Sequence, residues 1–190
     1  ASASCAAVAG GATQTIIDPV DATPDIDADG GRHGWWFAYG DPSGTWTAGV
    51  NPDTGNPLPV ADAQAADGTA YVVSRTGSAD WGGGIGLTLT SQSSDGGMNW
   101  TKCPYDAADY AGLRFRARGD APVRLQVLTA DTMTCDAETA GLCAAQCNDH
   151  LGATLELDAG WTDYALTWEE LHPEGWATPT DAVLDPTRLI

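Results

Sequence analysis

The sequence predicts an all-β, antiparallel sandwich, and three observations predict it. Short apolar runs recur between clusters of Gly, Pro, Asp and Asn, at 14–17, 34–39, 69–76, 85–90, 111–118, 122–129, 153–157 and 162–168, which is the spacing of strands and turns. Several runs alternate with period two, sending neighbouring side chains to opposite faces of a pleated strand. Helical signal is confined to turns near 106–110 and 168–172.

Taken in order, residues 1–13 (ASASCAAVAGGAT) are small and low in complexity and read as a flexible linker or leader remnant. Residues 14–190 then suit one β-sandwich domain, long enough to bury its own core. In GWWFAY, alternation puts Trp35, Phe37 and Tyr39 opposite Trp36 and Ala38, so at most one of the adjacent indoles is core and one is expected to face outward or into a cleft. The stretch 41–66, rich in Pro, Gly, Asp and Asn, reads as a long surface loop. GLRFRARG turns Leu113, Phe115 and Ala117 one way and Arg114, Arg116 and Arg118 the other. VRLQV opposes Val123, Leu125 and Val127 to Arg124 and Gln126, and the two runs read as antiparallel neighbours. ATLELD repeats the scheme with Leu155 and Leu157 inward. No internal repeat is visible.

Formal charge is -18, from 26 acidic and 8 basic residues. A phosphate backbone or an anionic membrane surface is repelled, so nucleic acid is not an expected partner. No run of 18 apolar residues occurs, so no membrane insertion is expected. The start ASASC lacks the basic and apolar regions of a signal peptide, which reads as an already processed chain. Five cysteines beside 23 Gly and 8 Trp suggest a secreted protein, extracellular or at the cell surface. With no C-x-x-C pair, disulfides explain the cysteines better than zinc. Cys135, Cys143 and Cys147 crowd one segment, where a Cys135–Cys147 bridge is expected, with Cys5–Cys103 as a second pairing and one thiol left over.

Asp25, Asp27, Asp29 and Gly30 reproduce the first half of a D-x-D-x-D-G calcium loop, in which alternating carboxylates converge on one hard cation. Trp36 stands where a bidentate Glu would close an EF-hand, so a complete one is excluded. Two readings remain: a solvated acidic turn, or a structural calcium site drawing on Asp18, Asp21, Asp25, Asp27 or Asp29.

A pyranose presents an apolar C–H face that stacks on a flat ring, while its hydroxyls need planar bidentate partners. Trp35, Trp36, Tyr39, Trp46, Trp81, Trp100 and Trp176 are the candidates for stacking, against core packing, the commoner role of any one Trp. Trp46 and Trp100 sit in polar, Gly-containing stretches and are expected to be exposed. Arg114, Arg116, Arg124 and Gln126 form an outward stripe, either a polar binding surface or ion pairs with carboxylates such as Glu156. Asp149 and His150 follow Cys147, as ligand contacts or as a structural histidine and its carboxylate. Catalysis has little support. Gly-x-Ser-x-Gly is absent, GGGIG lacks the last glycine of a dinucleotide fingerprint, and Glu169 and Glu170 are adjacent and point apart.

Several pieces in order carry a resemblance: Ile17-Asp18, GRHGWW at 31–36 with Tyr39 and Asp41, WGGGIGL at 81–87, PYDAADYAGL at 104–113, ARG at 117–119, CNDHLG at 147–152, and GW at 175–176 before LDPT at 184–187. Together they resemble the galactose-binding-like, jelly-roll β-sandwich carbohydrate-binding modules of secreted bacterial polysaccharide-degrading enzymes and surface proteins. The resemblance implies a noncatalytic module that tethers a neighbouring catalytic domain or a cell surface to polysaccharide, with calcium as a structural ion and Asp149-His150 on or near the ligand side. It departs from the family in two places. The acidic first strand is sparse, and a last strand would follow residues 187–190, so a jelly roll short of that strand is expected. The alternative function is a structural or adhesive extracellular protein that self-assembles through sheet edges without binding sugar.

Overall fold

The computed structural model describes residues 5, 17, 20, 23–26, 28–65, 68–93, 100–135, 139–177 and 183–190. Its strands are β1 (Trp36–Gly40), β2 (Thr45–Ala48), β3 (Pro59–Ala61), β4 (Thr69–Tyr71), β5 (Ser74–Thr76), β6 (Gly83–Leu87), β7 (Ser91–Gln92), β8 (Thr101–Lys102), β9 (Gly112–Ala117), β10 (Val123–Val127), β11 (Leu151–Leu155) and β12 (Thr162–Thr167). They pair as small antiparallel ribbons, β1–β6, β2–β5, β3–β4, β7–β8, β9–β12 and β10–β11. The only helical pieces among the described residues are 3-10 turns at Trp168–Glu170 and Pro186–Arg188. The chain is all-β. The expected strand at 14–17 lies outside the described residues except for Ile17. Among the described residues no helix is long and apolar enough to cross a membrane.

The chain divides into two compact units, Ala12–Leu89 and Ala1–Gly11 with Thr90–Ile190. In the first, β1 and β6 pair from Trp36↔Leu87 to Gly40↔Gly83. One face of this ribbon carries Trp36 and Ala38 with Leu87 and Ile85, and the Trp36 ring lies 5.0 Å from that of Tyr71. The other face pairs Phe37 with Gly86 and Tyr39 with Gly84. A Cβ on Gly86 would lie 2.9 Å from Phe37 Cζ, and one on Gly84 2.9 Å from Tyr39 Oη, so each aromatic ring lies over the glycine opposite it. Ile26, Pro57, Ala70 and Thr88 are buried in this unit.

The stretch 41–66 is not one loop, because β2 and β3 lie within it. Both are short; β2 pairs with a strand nearly thirty residues on, and β3 with the nearby β4. Trp46 pairs with Arg75, and Val60 with Ala70. The expected strand at 69–76 splits into β4 and β5 where Gly49, at φ 78°, runs against the Val72 carbonyl and leaves no room for a Cβ.

In the second unit the core gathers Cys103, Tyr105, Ala107, Val127, Leu151, Leu155, Leu171, Leu184, Leu189 and Ile190. Leu151 and Leu171, 1 % and 2 % exposed, each contribute about 2 kcal/mol of apolar burial. Leu189 exchanges backbone hydrogen bonds with Tyr105 at 2.7 and 3.1 Å, and Ile190 donates to Leu128 at 2.8 Å, which seats the LDPTRLI segment. Phe115 and Tyr164 face each other across β9–β12 with rings 5.5 Å apart.

The two arginine-bearing strands are not neighbours, contrary to the sequence reading: β9 pairs with β12 and β10 with β11. Charge favours this arrangement, since β12 sets Asp163 opposite Arg116 and β11 sets Thr154 opposite Arg124, whereas like charges opposed across a ladder destabilise it.

Cys5 and Cys103 are joined as expected, with Cα atoms 5.7 Å apart. The second bridge is Cys143–Cys147 and not Cys135–Cys147, and Cys135 is free and exposed. Positive φ at Gln146 (53°) and Asn148 (74°) curls this stretch tightly, bringing the Cys143 and Cys147 Cα atoms within 5.7 Å. The backbone of Cys135 is meanwhile held by the carbonyl of Cys143 at 3.1 Å. These bridges fit an oxidising compartment.

Candidate functional site

On the glycine-floored face of β1–β6, Tyr39 and Trp81 lie near-parallel, 21° between planes and 6.2 Å between centroids. They are 44 % and 63 % exposed, and the Phe37 ring follows at 6.0 Å from Tyr39. Two large flat rings, stacked on one another and each partly open to water, form the principal candidate site of this unit. Partial burial raises the Tyr39 phenol above its ordinary value, so at neutral pH its hydroxyl keeps its proton and serves as both donor and acceptor.

The corner that carries Trp81 is pinned by Asp41, a buried residue just past β1. The Asp41 N–H donates to the Gly82 carbonyl, and the Gly82 N–H donates to Asp41 Oδ2, both at 2.8 Å. Oδ1 accepts from the backbone N–H groups of Ser43 at 2.9 Å and Gly44 at 3.1 Å and from the Ser43 hydroxyl. The Ser43 hydroxyl lowers the Asp41 carboxyl, burial opposes this, and the Gly82, Ser43 and Gly44 N–H groups lower it further, leaving it at about 2. Asp41 is therefore an ionised brace that fixes where the indole stands.

Arg75, 10 % exposed in its side chain, sits 3.7 Å from Asp41 Oδ1 and donates to the Asp41 carbonyl and, at 2.9 Å, to Ser78 Oγ. Its atoms fill space left by Gly40, Gly44 and Gly83, where a Cβ on any of the three would collide with it. The guanidinium covers the Trp46 ring at 5.1 Å from the centroid. Trp46 is thus half-buried and capped rather than the open ring expected. Sequence reasoning missed Arg75. Its signal is that Arg32 and Arg75 are the only Arg or Lys residues between positions 12 and 89.

Of the other expected residues in this unit, Trp35 and Trp36 are half-buried. Trp35 bridges Asp25 through its backbone, and Trp36 packs on Tyr71. Asp18, Asp21 and Asp27 lie outside the described residues. The Asp29 carboxylate lies 3.8 Å from the buried Arg32 guanidinium. Among the described residues no three His, Cys, Asp or Glu side chains converge. Asp25 and the already engaged Asp29 do not by themselves fit calcium, which takes six to eight oxygen ligands.

The remaining candidates belong to the second unit, where they fall into separate groups. Arg116 lies 3.5 Å from Asp163 and, with Arg118, over Trp161 at 5.9 and 5.4 Å, a stack that the sequence reading did not include. Arg114 is exposed, Gln126 pairs across the ladder with Gly152, and Trp100 is 38 % exposed. Arg124 faces Glu174 at 3.8 Å and donates to the His172 carbonyl at 2.6 Å. Asp149 is buried and turned inward, accepting from the N–H groups of Glu174 (2.8 Å), Gly175 (2.8 Å) and Ala177 (3.2 Å). Burial raises the Asp149 carboxyl, but backbone donors from Glu174, Ala177, Gly175 and Trp176 outweigh it and hold the group below its ordinary value. His150 Nδ1 lies 2.9 Å from Thr132 Oγ1, and burial, against the nearby Asp149 charge, lowers the imidazole to about 4, so it is neutral at physiological pH. Compared with family models, curated proteins and solved structures, the chain matches none.

Proposed function

We propose that this chain is a secreted, noncatalytic polysaccharide-binding module of jelly-roll type that tethers an attached enzyme or a cell surface to a neutral glycan. The observation that carries the reading is the exposed Tyr39–Trp81 pair, two near-parallel rings, Tyr39 lying over Gly84 and Trp81 standing on a corner braced by a buried carboxylate. A neutral glycan follows from the charge of -18, which repels extended polyanions.

The binding strength scales with the exposed indole. Trp81 is 63 % exposed, so of about 250 Å² for a Trp side chain roughly 150 Å² is open. A sugar on one face covers about half of that, which at ~25 cal/mol per Å² gives about 2 kcal/mol, or about 30-fold in Kd.

Affinity electrophoresis through soluble neutral polysaccharides tests the proposal. Retardation of the wild type, weakened by W81A with an unchanged circular dichroism spectrum, supports it. Absence of retardation by any neutral glycan, with higher oligomers on sizing, favours instead a structural or adhesive protein that assembles through sheet edges. Calcium enters only as a structural ion for the aspartates of 18–29, and a melting temperature unmoved by calcium after chelation removes it from the account.

A further inference from the structure

The second unit presents another exposed indole on a built support. Trp176 is 60 % exposed. It sits beside Gly175, whose φ of 92° makes a turn that a side-chain-bearing residue would strain. Buried Asp149 accepts from the N–H groups on both sides of the indole, those of Glu174, Gly175 and Ala177, at 2.8–3.2 Å. Glu174 Oε2 accepts the indole N–H at 3.2 Å, while Glu174 Oε1 lies 3.8 Å from Arg124. Arg124 is itself anchored on the His172 carbonyl. The indole nitrogen is therefore satisfied within the protein, and what water meets is the carbon surface of the ring.

The arrangement repeats, with different residues, the device at Trp81, where a buried aspartate accepts the N–H of the adjacent glycine and fixes the corner that bears an open tryptophan. A side chain this large and apolar is costly to leave in water, and here a buried carboxylate is given over to holding it there. Glu174, half exposed in its side chain, borders the ring with a carboxylate whose remaining lone pairs can accept from sugar hydroxyls, and Arg124 holds that carboxylate in place.

We infer that Trp176, with Glu174 and Arg124, forms a second contact site for a neutral pyranose chain, so that one molecule engages polysaccharide at two places. This rests on the glycan-binding reading of the Tyr39–Trp81 face. Two sites on one chain raise avidity and let it cross-link long glycans.

The test uses the full chain as wild type, W81A, W176A and the double variant. Each is checked by circular dichroism and measured by affinity electrophoresis in the neutral polysaccharide that retards the wild type. Light scattering of the same polysaccharide reports cross-linking. The wild type raises scattering. Either single variant loses that rise and, with indoles 63 % and 60 % exposed, about 30-fold in apparent affinity, and the double variant migrates as in an empty gel. If W176A matches the wild type in both measurements while W81A abolishes retardation, the second site is overturned and the first stands. If no neutral polysaccharide retards the wild type, both fall.

Discussion

Gly84→Ala separates the binding face from the fold. The Cβ that it adds would lie 2.9 Å from Tyr39 Oη and 3.1 Å from Cζ, and its three nearest neighbours are all atoms of that one side chain. The ring can swing away, so stability changes by less than about 1 kcal/mol. The near-parallel geometry with Trp81 does not survive the swing. Tyr39 is 44 % exposed, so of about 200 Å² for its side chain roughly 90 Å² is open and a sugar covers about half. At ~25 cal/mol per Å², losing that contact costs about 1 kcal/mol, or about sixfold in Kd. Isothermal titration with the bound polysaccharide, beside a thermal melt, measures both quantities. Gly34→Ala is the contrast, because its Cβ would strike the Thr88 backbone carbonyl, and it is expected to melt far lower. Wild-type affinity in G84A would refute the reasoning, since the ring would then not be part of the binding surface. A melt as damaged as that of G34A would refute it from the other side.

Other outcomes follow from buried groups and bridges. His150 is lowered from 6.5 to about 4 by burial, so between those values the unfolded chain binds a proton that the folded chain does not. Stability is therefore full above about 6.5 and falls toward pH 4 by up to about 3 kcal/mol. Denaturant melts from pH 7 to 4 should show this slope, and H150Q should flatten it. Below about pH 4 Asp41, held at about 2, adds a loss of stability of the same sign that continues as pH falls to its folded value. The Cys5–Cys103 bridge spans 98 residues and Cys143–Cys147 only 4. Chain entropy then gives C5S a loss of about 4–5 kcal/mol, against about 2 kcal/mol for C147S. Peptide mapping should find these two pairs, with Cys135 alkylated without reduction. A Cys135–Cys147 peptide would contradict the fold around it.

The alternation of GWWFAY was legible because period two is a local property, and β1 shows it, with Trp36 against Tyr71 and Tyr39 outward. Its complement was not. Gly84 and Gly86 have meaning only as the places where the Tyr39 and Phe37 rings lie, and a missing side chain leaves no pattern of its own. The strands β2 and β3 were hidden by surrounding Pro, Gly and Asp, and pairing rather than local pattern makes them strands, β2 with the distant β5 and β3 with the nearby β4. Pairing β9 with β10 by proximity overlooked the arginines on both, which Asp163 and Glu174 meet instead. Asp149 has the residue type of a ligand contact, yet it faces the backbone of 174–177, a role that no spacing reveals. Tyr39 and Trp81, both read as stacking residues, do come together, whereas Trp46 is covered by an arginine that the sequence reading did not weigh.

The most direct test observes the indoles themselves. With eight tryptophans, a proton–nitrogen correlation spectrum resolves the indole N–H signals, and W81A assigns one of them by its loss. Titration with the neutral polysaccharide should move the Trp81 resonance at a midpoint that matches the measured Kd. Saturating binding with that resonance unmoved would contradict the account.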